Sequence, residues 1–408
     1  MAIILKITNF PIEFEQALPI LRSIEAAGFE AYFVGGSVRD TIMGREIHDV
    51  DIATSAYPEE VKKIFNRTVD TGIQHGTVMV LDHGNGYEVT TFRTESTYQD
   101  YRRPDEVTFV RSLKEDLKRR DFTINALALS EDGQVTDLFS GLDDMEHKLI
   151  RAVGEAEERF NEDALRMMRA IRFSSQLDFD IEPATEDAIH GHAYLLEKIA
   201  IERIHEEFVK MMLGTRPDLG LEKMIETKLT DYVPGFKAEH LALKKLLALD
   251  LTPESEIEVW TIFAYVFGYN QSTTTKFMRE WKSSNQLTEE VAKATELLTK
   301  VTANKVDNLD LYQAGEVAVI AADHVAQIFG LDVETKVLIN QYSKLQIKSK
   351  KDLALSAKNL LMENVYQPGP ELGKVLQYLE ENVVNNNLNN TYDDLLASAK
   401  ALKEEGSN

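Results

Sequence analysis

The sequence predicts an α+β fold, with a mixed sheet in the first third followed by an all-helical remainder. Two observations carry this expectation. Over roughly the first third of the 408 residues the apolar spacing switches between the period of strands and that of helices. From Asn161 onward it stays helical almost throughout, as in Leu165, Met168, Ile171 and Phe173, and again in Ile201, Ile204, Phe208, Met211 and Met212. Helical hairpins are the natural product of the second pattern.

In chain order, a helix is expected over 20–27, then a short apolar strand over 31–34 stopped by Gly35-Gly36, then a helix over 37–43. A strand over 50–53 follows, then a helix over 59–65 that Pro58 begins, and strands over 77–81, 87–92 and 106–110. Breaks at 214–217, 234–235, 253 and 368–370 separate the later helices. The Asn-rich stretch 382–390 connects a helix over 371–381 to a last one over 392–402. The break at 214–217 marks one boundary in a chain expected to fall into segments 1–146, 147–215, 216–330 and 331–408.

Composition narrows the chemistry. No stretch reaches the ~20 apolar residues of a membrane span, and residues 1–10 lack the basic lead of a secretory signal, so no membrane partner and a cytoplasmic location are expected. The absence of cysteine excludes disulfides, thiolate metal sites and Cys nucleophiles, which leaves oxygen or imidazole for any metal. A net charge of -23 excludes a protein that coats nucleic acid through its global field. Such contact then falls to local basic runs, either Arg102, Arg103, Arg111, Lys114, Lys118, Arg119 and Arg120 or Lys344, Lys348, Lys350 and Lys351, which read equally as solvated faces.

Asp49-Val50-Asp51 lies in a strand pattern, where alternate residues share a face, so both carboxylates aim one way. Two like charges this close are stable with a cation between them, and clustered oxygens suit Mg2+. Surface carboxylates near a turn are the alternative. Upstream, Gly35-Gly36-Ser37-Val38-Arg39-Asp40 reads as strand, glycine turn and helix, which presents backbone N–H groups around Gly36 to a phosphate, with Arg39 able to reach the same anion. Glycine turn, arginine and paired aspartates together point to triphosphate handling. Glu88, on the next expected strand, is a candidate third catalytic carboxylate, or else a solvated or salt-bridged glutamate. His75 and His83 are given no ligand role.

Three ordered blocks carry a family resemblance. The glycine turn with Asp49 and Asp51, the run Arg119-Arg120-Asp121-Phe122-Thr123-Ile124-Asn125-Ala126, and the run from Glu162-Asp163 through Arg166, Arg169 and Arg172 to Phe173 resemble the bacterial and eukaryotic (class II) type of CCA-adding tRNA nucleotidyltransferase. Bacterial poly(A) polymerases share these blocks, and the match spans about half the chain, over 32–212. The resemblance implies a polymerase-beta-like catalytic head (1–146), a helical neck bearing the base-recognition helix (147–215), a helical body (216–330) and a tRNA-binding helical tail (331–408). It implies addition of C, C and A in turn to the tRNA 3′ end from CTP and ATP, with pyrophosphate released, Mg2+ held by Asp49 and Asp51, and homodimers in some members. Arg120, Asp163, Arg166, Arg169 and Arg172 are implied as nucleotide ligands, and residues 97–116 as a flexible loop of the complete CCA-adding type. A poly(A) polymerase, and a non-catalytic RNA-binding protein on an inactive nucleotidyltransferase fold, are the alternatives.

Hydrogen-bond inventory gives the same base choice independently. Asp163 and Arg166, three apart in a helical pattern, are expected to share a face as an acceptor and a donor. Cytosine and adenine each show an amino donor beside an accepting ring nitrogen, whereas uracil and guanine show the reverse. The wrong base would leave buried polar groups unpaired, at about 1 to 3 kcal/mol each. Arg169 and Arg172 continue the stripe, or else pair with Glu158, Glu162 or Asp163 across a turn, and Asn125 is a candidate ribose partner.

Overall fold

The computed structural model describes residues 5–95, 98–99, 103–104, 107–331 and 337–405. They form two compact units, Met1–Lys237 and Ala238–Asn408.

The first unit opens with helix α1 (Ile12–Ala26), strand β1 (Ala31–Val34), helix α2 (Gly36–Ile42), strand β2 (Asp51–Thr54) and helix α3 (Pro58–Ile64). Strands β3 (Thr68–Gly72), β4 (Thr77–Asp82) and β5 (Asn85–Thr91) follow. The short strands β6 (Arg93–Glu95), β7 (Tyr98–Gln99), β8 (Arg103–Pro104) and β9 (Val107–Phe109) lead to helix α4 (Leu113–Lys118), then β10 (Leu127–Leu129), β11 (Val135–Asp137) and helix α5 (Gly141–Glu146). Seven strands make one mixed sheet in the order β11-β10-β1-β2-β5-β4-β3, in which only β2 and β5 run parallel.

Strand alternation assigns the two sheet faces. Phe33, Ile52, Val78, Val80, Val89, Leu127 and Leu129 point to one side, where α1 contributes Phe14, Ala17, Leu21 and Ile24 to a shared core. Phe14 and Phe33 stack there with ring centroids 4.3 Å apart. The residues between them, Val34 and Ala53 among them, point to the opposite side, where Phe92, Leu117, Ala126, Ala128 and Val153 cover part of the sheet. The catalytic candidates lie on this second, partly covered face.

Beyond the sheet, helices α6 (Ala156–Glu162), α7 (Leu165–Leu177), α8 (Pro183–His192), α9 (Ile201–Met212) and α10 (Pro217–Glu226) complete the unit, with α7, α9 and α10 in mutual contact. In the second unit, Asn285–Thr302 packs on Glu256–Val266, Gln271–Glu280 and Glu316–Ile328. A separate core there, around Leu355, Leu379, Val383 and Leu395, joins Pro370–Val384 to Tyr392–Glu405. No helix among the described residues is long and apolar enough to cross a membrane.

Several expected elements shift. The helix expected over 20–27 begins at Ile12 and carries Pro19 inside it, because a continuous buried stripe (Phe14, Ala17, Leu21, Ile24) outweighs the one backbone donor that proline lacks. The strand expected over 106–110 pairs with β6 and not with the main sheet. Strands β3, β10 and β11 carry no sequence signal of their own. β3 is a polar edge strand with an irregular register between Val69 and Gly72, and β10 is buried on both faces, which erases its alternation.

Candidate active site

Register places the acids. Val34 on β1 faces Asp51, and Asp51 faces Glu88 on β5, so the three share one row across the sheet. Asp49 lies two residues before Asp51, in the segment that enters β2, and both aspartates line a cleft of about 1110 Å³. Gly35 turns the chain between β1 and α2 at φ +76°, in the region that favours glycine. A Cβ there would sit 3.2 Å from Nη1 of Arg120 and 3.7 Å from Oδ2 of Asp51, so the bare backbone keeps open the space between that carboxylate and that guanidinium. Burial, reinforced by the charge of Asp49 and opposed by Arg120, raises the Asp51 carboxyl above its usual pKa.

Around this row the cleft is crowded with arginine. Among its described lining residues nine are Lys or Arg and seven are Asp or Glu, a locally cationic balance in a chain of net charge -23. Asp116, buried on α4, takes Arg119 at 2.7 Å and Arg120 at 3.2 Å. Its own burial would raise its pKa, but those two guanidiniums hold it below the usual range. Asp121 accepts from Arg169 at 2.6 and 2.8 Å, from the backbone N–H of Phe122 at 2.8 Å and from Nδ2 of Asn125 at 3.1 Å. Burial alone would push the Asp121 carboxyl up, yet Arg169 and the Asn125 hydrogen bond hold it far below the carboxylate range.

Arg39 donates through Nε and Nη2 to Asp40 at 2.9 and 2.8 Å and through Nη1 to Oδ1 of Asn125 at 2.7 Å. Its fork, expected to face a phosphate, is thus closed on protein partners. Asn125, expected as a ribose partner, instead spends its amide on bridging Arg39 to Asp121.

The structure brings Gly36, Arg39, Asp49, Asp51, Arg120, Asp163, Arg166, Arg169 and Arg172 to the one cleft. Glu88 is in register with Asp51 but is not among the lining residues. Among the described residues no three His, Asp or Glu side chains converge as a ready metal cage. Oxygen donors from the two aspartates still fit magnesium, which commonly takes one or two carboxylates and completes its shell with water and substrate phosphate.

Asp163 and Arg166 differ from expectation in placement. Asp163 lies outside the helix, in an extended residue between α6 and α7, where Oδ1 accepts from the N–H of Leu165 at 3.0 Å and the carboxylate pairs with Arg203 at 2.9 Å. Arg166 donates to Glu162 at 2.6 Å and to the carbonyl of Arg119 at 3.0 Å. Arg169 and Arg172 pair with Asp121 and Glu207, not with the local acids that were the alternative to nucleotide contact.

One wall escaped the sequence reading. Helix α9 supplies Arg203, Glu206, Glu207 and Lys210 to the cleft, strands β4, β5 and β6 add Thr77, Thr90 and Arg93, and the turn at Ile73–His75 adds His75. A charged stripe at three- and four-residue spacing, opposite the apolar Ile204, Phe208, Met211 stripe, was the available signal. Arg102 and part of the 97–116 loop lie outside the described residues, whereas Arg111 stacks on Tyr57 at 4.0 Å and pairs with Glu60 at 2.9 Å.

Comparison with known proteins meets this geometry. Residues 31–151 match the family model described as the Poly A polymerase head domain, and 251–399 match that of tRNA nucleotidyltransferase domain 2. The CCA-adding enzyme of Latilactobacillus sakei subsp. sakei is 55% identical over 398 residues, which cover 97% of this chain and 100% of that protein. A crystal structure of the Bacillus stearothermophilus CCA-adding enzyme in complex with CTP is 37% identical and superposes with a TM-score of 0.87, covering 98% of this chain and 99% of that one. The Thermotoga maritima CCA-adding enzyme complexed with tRNA shares the fold at 20% identity and a TM-score of 0.66, over 98% of this chain and 99% of that one.

Proposed function

The chain belongs to the CCA-adding enzyme family, and from that premise we propose how its cleft carries out the family's reaction. It is a nucleotidyltransferase that adds C, C and A in turn to the 3′ end of tRNA from CTP and ATP, without a nucleic-acid template, and releases pyrophosphate. Identity of 55% across nearly the whole chain sets aside the poly(A) polymerase and the inactive-fold alternatives.

The observation that carries the mechanism is the row of the sheet where Asp51, with Asp49 beside it, faces the bare Gly35 turn and Arg120. Enzymes of this family are metal-dependent, and here Asp49 and Asp51 would hold the ion, magnesium by the hard oxygen donors they offer. Bound there, it would lower the pKa of the attacking 3′ hydroxyl and offset charge on the triphosphate. Glu88 is in register with Asp51 but lies outside the cleft lining, so no step is assigned to it. Arg120 and the N–H groups around Gly36 receive the phosphates, while Arg39, Arg169 and Arg172 form the cationic wall behind them. Most of the catalysis is therefore positioning and charge stabilisation.

Base choice falls to Asp163 and Arg166. Each now holds a protein partner, Arg203 and Glu162, so an incoming cytosine or adenine exchanges those partners for its own amino group and ring nitrogen. Residues 1–146 act as the catalytic head, 147–215 as the base-reading neck, and 216–330 and 331–408 as body and tail that hold tRNA by shape and backbone. The reaction belongs in the cytoplasm.

Incubating the chain with tRNA that lacks its terminus, one nucleotide at a time, tests this reading. CTP alone should give two additions, ATP alone none, and both together one complete CCA. Long adenosine runs from ATP alone would contradict it.

A further inference from the structure

Phe173 reads in the sequence as one more apolar position of helix α7, yet three guanidiniums gather on its ring. The Arg172 carbon lies 4.0 Å from the ring centroid, that of Arg39 5.0 Å and that of Arg169 5.4 Å. The ring is 4% exposed and meets Phe122 edge-on at 5.8 Å. Three like charges around one side chain repel unless something holds them. Each pairs with a carboxylate, Asp40 for Arg39, Asp121 for Arg169 and Glu207 for Arg172, at 2.8, 2.6 and 2.5 Å, and Glu207 also lies 3.8 Å from Arg169. Asn125 ties the Arg39 and Asp121 pairs together, at 2.7 and 3.1 Å.

Resting on the reading of the cleft as a nucleotide site, we propose that Phe173 is a positioning residue for nucleotide binding, whose π-face holds Arg39, Arg169 and Arg172 in place for CTP and ATP. The chemistry of an aromatic ring suits that task better than a further acid. Its negative face attracts the flat side of a guanidinium and leaves the edge N–H groups to hydrogen-bond. A fourth carboxylate would compete with the triphosphate for those same donors. The ring also joins two walls of the cleft, because Arg39 belongs to α2, directly after the glycine turn, whereas Arg169 and Arg172 belong to α7, which begins beside Asp163. Phe173 thereby sets the phosphate-binding turn in register with the base-reading helix. The balance of charges is local: Asp40, Asp121 and Glu207 pair with the guanidiniums that lie over the ring.

Fluorination separates this role from simple packing, since it drains the ring's negative face with little change in size. Phenylalanine at 173 is replaced in the full chain by monofluoro-, difluoro- and trifluorophenylalanine, and KM for CTP and ATP is measured on tRNA lacking its terminus, alongside Tm. The expected result is a stepwise rise in KM for both nucleotides, reaching about ten-fold at three fluorines, the scale of a buried cation–π contact. The rise in KM should exceed any fall in kcat and should not follow Tm. Phe173→Leu should raise KM at least as far, while Phe14→Leu in the core behind the sheet should lower Tm and leave KM unchanged. A flat series in a chain that extends tRNA overturns the role of the ring alone. A wild-type chain that neither binds CTP nor extends tRNA overturns it together with the functional reading.

Discussion

Asp121 shows how a residue inside a recognisable motif acquires its role only in three dimensions. Its carboxylate holds Arg169, and its pKa lies far below the usual carboxylate value of ~4. A depressed folded-state pKa stabilises the protein above the unfolded value and loses that contribution as pH falls below it. Asp121→Asn should therefore lower Tm at neutral pH, by the equivalent of about 3 kcal/mol for breaking a buried pair, a low-end figure because Arg169 is partly exposed. Between about pH 4 and 2 the gap to wild type should narrow, and calorimetry across that range would read it; a constant gap would contradict the pairing. At this scale the meeting of Asp49, Asp51 and Arg120 in one cleft was legible, the aspartates from their spacing beside a glycine turn and Arg120 from the family resemblance. The partners of Arg39 and Asp163 were not. Asn125, 86 positions from Arg39, and Arg203, 40 from Asp163, are long-range contacts that no local spacing encodes.

Between elements, the placement of the site depends on close approach. Gly141, at the start of α5, lies against the turn Thr123–Asn125, and a Cβ there would stand 2.2 Å from the carbonyl oxygen of Thr123. Backbone cannot yield as a flexible side chain can. Gly141→Ala should push that turn, move Asn125 away from Arg39 and Asp121, cost about 1 to 3 kcal/mol of stability and raise KM for CTP. Unfolding and steady-state kinetics on the one variant would check both effects, and an unchanged Tm would refute the contact. Elements with strong periodicity and flanking signals, such as β1, α2, β4 and the last two helices, were readable in advance. Those whose identity is lent by neighbours were not: β3 is polar because it lies at the edge, and β10 is uniformly apolar because both its faces are covered.

Across the whole molecule, charge and chemistry are partitioned. A chain of net charge -23 keeps an arginine-rich cleft in its first unit, at the place where Asp49 and Asp51 stand. The motifs that carry the family resemblance lie within 32–212, where charged and glycine residues recur in a fixed order. The helices that follow bury apolar positions, a demand many sequences satisfy, and so they were visible only as helices. The account as a whole rests on the two aspartates. Its most direct test is single-turnover incorporation of CMP into tRNA lacking its terminus, at saturating CTP and magnesium, by Asp49→Ala and Asp51→Ala chains whose Tm matches wild type. Loss of at least about a hundred-fold in rate is the predicted result for each; near wild-type turnover by either would contradict the assignment.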